Sequence, residues 1–139
     1  MPAKDIYHDL VVRLLMEEGW IITDDPLFLS YGGRDLFVDL GAERQAIAAE
    51  KGDRKIAVEI KSFLKPSPVT DLGEAMGQYG IYQSILAEVE PERELYLAVP
   101  QRTYETILTE KLGQLVLKRW QIQLIVFDEK KGESIKWIP

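Results

Sequence analysis

The stretch Lys55 to Phe63, KIAVEIKSF, constrains this chain more than any other. Ile56, Val58 and Ile60 alternate with Lys55, Ala57, Glu59 and Lys61. Successive side chains of a strand point to opposite faces, so the segment predicts a strand with one continuous apolar face turned to a core. The opposite face carries Glu59 and Lys61, about 7 Å apart at two residues of rise. A carboxylate and an ammonium at that spacing can share one small site. The first can hold a divalent cation, and the second can stabilise an oxyanion or help position a water. Three further acid-x-Lys pairs, Asp53/Lys55, Asp128/Lys130 and Glu129/Lys131, fall in charged turns and read as solvated surface. Glu59-Ile60-Lys61 alone has an apolar middle residue inside a predicted strand. Its bland reading is a charged strand end, so its surroundings must decide.

The 139 residues suffice for one domain, 1–139, with a single substantial core. The chain has no cysteine, which removes disulfides, thiolate chemistry and Cys-type zinc sites. No apolar run approaches the ~18 residues of a membrane span. The start, MPAKDIYHDL, lacks a signal-peptide layout. A cytoplasmic protein with no membrane association is the expectation. The net charge of −6 argues against a protein that coats nucleic acid through a uniform positive field. It leaves room for a nuclease, whose site needs carboxylates. Basic residues are somewhat local: six against four acidic ones between Ala42 and Lys65.

In order, Asp5 to Glu18 reads as a helix with Ile6, Leu10, Val11, Leu14 and Leu15 on one face and Gly19 as its stop. His8, the only histidine, shares its first turns with Asp5 and Asp9. It reads either as a catalytic side chain or as a residue that flanks the helix start. Strands are predicted at Trp20–Thr23, Leu27–Tyr31 and Leu36–Leu40, with Asp24–Pro26 as a turn. Ala46–Glu50 and Lys55–Ser62 flank Gly52-Asp53 as a hairpin. Lys65-Pro-Ser-Pro68 is a rigid connector, and Asp71, with Glu74 three residues on, resembles a capping box that opens the next helix. Leu72, Ala75, Met76, Tyr79 and Leu86 form its apolar stripe. Gly73, Gly77, Gly80 and Ser84 form a small-residue stripe, expected to pack closely on the protein's own sheet. The alternative is a contact with a partner subunit. Strand Glu94–Val99, helix Thr103–Val116, strand Ile122–Phe127 and edge strand Ile135–Ile138 complete the chain. The order predicts an α/β domain, a mixed β-sheet flanked by helices. No dinucleotide fingerprint, Walker loop, Gly-x-Ser-x-Gly or helical zinc pair is present.

Metal-assisted phosphodiester cleavage needs acidic oxygens around Mg²⁺ and a positive group near the attacking water. Asp39 lies at the end of the predicted Leu36–Leu40 strand, before a glycine, and nineteen residues separate Val38-Asp39 from Glu59-Ile60-Lys61. If the two strands are neighbours, Asp39 and Glu59 can converge on one ion beside Lys61. On these residues the chain resembles the PD-(D/E)XK nuclease superfamily, with Val38 where that motif has proline. The resemblance implies a restriction-endonuclease-like core, Asp39 and Glu59 as ligands of Mg²⁺ or Mn²⁺, and Lys61 as a catalytic residue. Gln78 and Tyr82 resemble the Gln-x-x-x-Tyr helix of RecB-like members, and His8 stands where some members place an extra active-site side chain.

A narrower resemblance runs nearly end to end. KDIYHDLV, EEGWIITDDPL, VDLGAER, AAEKGDRKIAVEIKSF and ELYLAVP together resemble XisH, a cyanobacterial family named for controlling excision of the fdxN DNA element. This implies a role in programmed DNA excision, with DNA and a small XisI partner, while a separate recombinase carries out strand exchange. Two functional classes follow. One is a Mg²⁺-dependent endonuclease. The other is a nuclease-fold accessory protein that binds DNA, a recombinase or XisI and cuts nothing. A homodimer is a further partner expectation.

Overall fold

Strand β5 (Arg54–Ile60) lies inside a six-stranded sheet, and its neighbours explain its sequence. The computed structural model describes residues 4–44 and 53–138. Helix α1 (His8–Glu17) is followed by β1 (Ile21–Asp24), β2 (Leu27–Tyr31), β3 (Arg34–Val38), β4 (Leu40–Arg44) and then β5. Helix α2 (Pro68–Val89), β6 (Arg93–Pro100), the short helix α3 (Gln101–Glu105), α4 (Lys111–Trp120), β7 (Leu124–Phe127) and β8 (Ile135–Ile138) complete the order. The sheet runs β1-β4-β5-β6-β7-β8, with β2 and β3 as a separate antiparallel ribbon. β5, β6 and β7 are parallel, and the remaining pairings are antiparallel. The architecture is the expected mixed α/β domain. The predicted arm Ala46–Glu50 of the hairpin before β5 lies outside the described residues. The antiparallel partner of β5 is β4, in the register Leu40↔Val58 to Arg44↔Arg54.

Both faces of the sheet are covered. Ile56, Val58 and Ile60 join Val11, Leu14 and Leu15 of α1 in one apolar cluster. Ala57 joins Leu72, Ala75, Met76 and Tyr79 of α2 in the other, which also takes in Leu27 and Leu29 of the ribbon. The five apolar-stripe residues predicted for α2 are all buried. Parallel strands reached through helical crossovers are covered on both sides, so little of β5 is left to water. Among the described residues, no helix is long and apolar enough to cross a membrane.

Several local expectations are corrected. α1 begins at His8, so Ile6 precedes it and is exposed. Gly19, at φ +92°, closes the turn after α1 as expected. α2 begins at Pro68, three residues before Asp71. Ser67 is its N-cap and accepts from the Thr70 N–H, and proline suits the first helical position because its missing donor is not needed there. Asp71 is buried and accepts from the Lys65 N–H at 3.0 Å. The single helix predicted over Thr103–Val116 is two helices. The hydroxyls of Thr106 and Thr109 turn back onto the carbonyls of Arg102 and Glu105, which competes with the helical ladder. Leu112 and Leu115, which helical spacing places on the buried face of one continuous helix with Ile107 and Leu108, are exposed. Gly113 permits the close approach of α4 to the segment before it, since a Cβ there would lie 2.1 Å from the Ile107 carbonyl oxygen. The small-residue stripe does not pack on the sheet. A Cβ at Gly73 or Gly77 would meet nothing within 4 Å, and Gly80 faces only Trp120.

Candidate active site

The predicted strand Leu36–Leu40 is broken at Asp39, which forms the bend between β3 and β4. Because Leu40 pairs with Val58, this bend falls beside Glu59. The Asp39 main-chain N–H donates to Glu59 Oε1 at 3.3 Å, and the Ile60 N–H donates to Asp39 Oδ2 at 2.7 Å. Each carboxylate therefore holds the backbone that carries the other. Glu59 is only 7 % exposed, although it is charged in sequence and sits mid-sheet. Burial, and then the charge of Asp39, push its carboxyl up to about 9. Burial also raises that of Asp39. Two buried carboxylates this close do not both ionise cheaply without a compensating cation.

A cavity of about 200 Å³ opens on this pair. Asp39, Glu59, Lys61, Gln78 and Tyr82 line it, together with Asp5, Phe37 and Ile60. Lys61 stands one residue beyond β5, and its N–H extends the ladder to the Ala98 carbonyl. Its ammonium lies 2.9 Å from Glu74 Oε2. Glu74 also takes the Lys65 ammonium, and these two hydrogen bonds, that of Lys65 first, hold its carboxyl down at about 2. Tyr82 donates its hydroxyl to the Phe37 carbonyl at 3.1 Å, two residues before Asp39. Burial, then the charges of Glu59 and Asp39, push its phenol up to about 12, so it serves as a donor at neutral pH and not as a base.

His8 stands apart from the lining residues. It is buried, and its Nε2 lies 2.7 Å from Asp25 Oδ1 at the β1–β2 turn. Its charge reaches Asp39 only as a minor lowering influence. Asp5 lines the cavity in its place and was not singled out as a site residue by the sequence. Its Oδ2 accepts the Ser62 N–H at 3.1 Å and its Oδ1 the Tyr7 N–H at 2.9 Å. Nothing local signals a contact between residues 57 positions apart. Arg102 was also missed. Its guanidinium donates to the Ser62 and Phe63 carbonyls at 2.8 and 3.3 Å, and so holds the segment after Lys61, where Phe63 has φ +54°.

Among the described residues, no three His, Cys, Asp or Glu side chains form a group able to hold a metal ion. Asp39 and Glu59 are the pair that could. Mg²⁺ commonly takes one or two protein carboxylates and fills its other positions with water and substrate oxygens, so a two-carboxylate set fits that ion.

Two solved structures share this fold. A crystal structure described as an fdxN element excision controlling factor protein from Anabaena variabilis matches with a TM-score of 0.87 and 40% identity. The match covers 98% of this chain and 100% of that one. A second, of an XisH family protein from Nostoc punctiforme PCC 73102, matches with a TM-score of 0.86 and 37% identity, over 97% and 100% of the two chains. No curated protein matches. The family model described as XisH protein matches residues 1–135, and the chain belongs to the XisH family.

Proposed function

We propose that this protein is a DNA-acting, endonuclease-like factor in the programmed excision of a DNA element, with a phosphodiester-cleaving site at Asp39, Glu59 and Lys61. The observation that carries the reading is the interlocked acid pair, buried at the wall of a cavity that Lys61 also lines. The element order around it is consistent with a restriction-endonuclease-like, PD-(D/E)XK core. Asp39 and Glu59 would hold Mg²⁺ or Mn²⁺, which when bound supplies Lewis-acid polarisation of a phosphate diester. Lys61 offers its ammonium to the charge that develops on the phosphate oxygens. Tyr82 fixes the end of β3 through the Phe37 carbonyl and so the approach of Asp39. Gln78, one turn earlier on the same helix face, adds an amide donor to the cavity wall. DNA, an XisI-like protein and a second copy of the chain are the partners of this reading, and the cytoplasm is where such DNA is met.

One observation favours a second reading, a catalytically silent accessory protein that binds DNA, a recombinase or an XisI-like partner. The Lys61 ammonium is paired with Glu74. The test is cleavage of duplex, single-stranded and branched DNA with Mg²⁺ or Mn²⁺, with and without the XisI-like partner. Calorimetry of Mn²⁺ binding to wild type and Glu59→Ala runs beside it. Cleavage, with Mn²⁺ binding that Glu59→Ala removes, supports the enzyme. No cleavage and no Mn²⁺ binding leaves the accessory reading.

A further inference from the structure

Glu74, Gln78 and Tyr82 are spaced four apart on α2 and form one row. The latter two line the acid cavity, and Glu74 continues the row one turn toward the helix N-terminus. Its two carboxylate oxygens are taken by two different ammonium groups, Oε2 by Lys61 and Oε1 by Lys65. Exposure rises outward along this set, with side chains 19% exposed at Lys61, 39% at Glu74 and 55% at Lys65. Two lysines converging on the two oxygens of one anion is how a phosphate is gripped by point charges. A carboxylate and a phosphate diester each present two terminal acceptor oxygens and one negative charge.

The 61–71 loop is tied at several points besides the pair with Lys65: by the buried Asp71 to the Lys65 main-chain N–H, by Asp5 to the Ser62 N–H, and by Arg102 to two carbonyls. Glu74 adds a carboxylate one helical turn from Gln78, a lining residue of the cavity that already holds Asp5, Asp39 and Glu59 and that on the reading above admits a polyanion. We propose that Lys61 and Lys65 form a binding site for a phosphodiester of a polynucleotide backbone, which Glu74 occupies in the free protein and yields to the incoming strand. The proposal rests on the DNA-acting reading, but not on cleavage. The exchange replaces two charge-assisted hydrogen bonds with two others, and the displaced Glu74 side chain has solvent to turn into.

The test is fluorescence polarisation of a short labelled duplex in EDTA, where neither a cation nor cleavage contributes, with melting curves to verify that each variant is folded. Glu74→Gln keeps the size of the side chain and removes its charge. It should bind about tenfold tighter at about 50 mM salt, with a salt dependence steeper by about one. Lys65→Ala should weaken binding, and adding it to Glu74→Gln should remove most of the gain. Unchanged or weaker binding by Glu74→Gln overturns the proposal, as does a Lys65→Ala variant that binds like wild type. A gain for inorganic phosphate without one for the duplex overturns it too, since it marks a small-anion site. A folded Glu74→Gln variant that binds duplex tighter yet cleaves nothing supports the phosphodiester site and counts against the cleavage reading. Cleavage by wild type without that gain does the reverse.

Discussion

On one face of β5, Ile56, Val58 and Ile60 meet α1 in a dry apolar cluster. On the other, Ala57 and Glu59 lie under the side of α2 that carries Gln78 and Tyr82. Backbone, neighbouring strands and depth are shared, and only the parity of the residue number differs. A strand covered on both faces is expected to be apolar on both. Glu59 breaks that expectation, and the surroundings accommodate it with a backbone donor and a cavity instead of with packing. Departures from local consistency concentrate where function does. On the proposed reading one face serves stability and the other chemistry, and substitutions should separate the two.

The sharpest separation is Lys61→Ala. On the proposed mechanism it should lower the cleavage rate by at least about a hundredfold, as loss of one charge-stabilising donor does. Its melting temperature should barely move, because a partly exposed ion pair contributes only about 0–1 kcal/mol. Equal cleavage by variant and wild type would place the activity in another site or a contaminant. Next is Ile60→Ala on the other face. Ile60 is 3% exposed, so the variant should lose about 2–5 kcal/mol in urea unfolding. A loss below about 1 kcal/mol would mean that the two faces are less distinct than drawn.

A third expectation concerns pH. Glu59 has its folded carboxyl raised from 4.5 to about 9, so its stabilising contribution is complete below about 4.5 and is lost as pH climbs toward 9. Asp39 shifts in the same direction. In chelator, wild type should therefore lose stability between about pH 5 and 9, and Glu59→Gln should flatten that slope by on the order of 1–3 kcal/mol. Parallel pH profiles for the two proteins would show that the acid pair is compensated in another way. The smallest effect lies on the outer side of α2, which belongs to neither face. Gly77→Ala meets no atom within 4 Å and should stabilise the protein by about 0.5–1 kcal/mol. A folded variant that loses stability or self-association would mean that another chain covers this side.

The sheet-forming segments and the apolar stripe of α2 were legible because periodicity records burial directly. The convergence of Asp39 and Glu59 was legible only on the condition that their strands are neighbours, because the strand that brings them together, β4, was not expected and Ala46–Glu50 stood as the partner of Lys55–Ser62. The split between α3 and α4 was not. Apolar residues from Ile107 to Val116 keep helical spacing, while the break comes from threonine hydroxyls that periodicity ignores. The start of α2 was misplaced because Asp71 and Glu74 fit a capping pattern, whereas Asp71 staples a loop and Glu74 holds two lysines. The glycine stripe was expected inside the fold because glycine in a helix has a cost. The structure leaves Gly73 and Gly77 open, and nothing in it explains them. Asp5 and Arg102 act through long-range main-chain contacts, for which sequence carries no period or motif.

The interlock between Asp39 and Glu59 separates two demands on the same side chains. The Ile60 N–H needs an oxygen from residue 39, and the Asp39 N–H needs one from residue 59. An amide supplies that oxygen as well as a carboxylate does. Asparagine at 39 and glutamine at 59 would serve the architecture without the burden of an ionisable group out of water. Scaffolding thus accounts for the oxygen atoms, and on the proposed reading the acid character is what a bound cation would use.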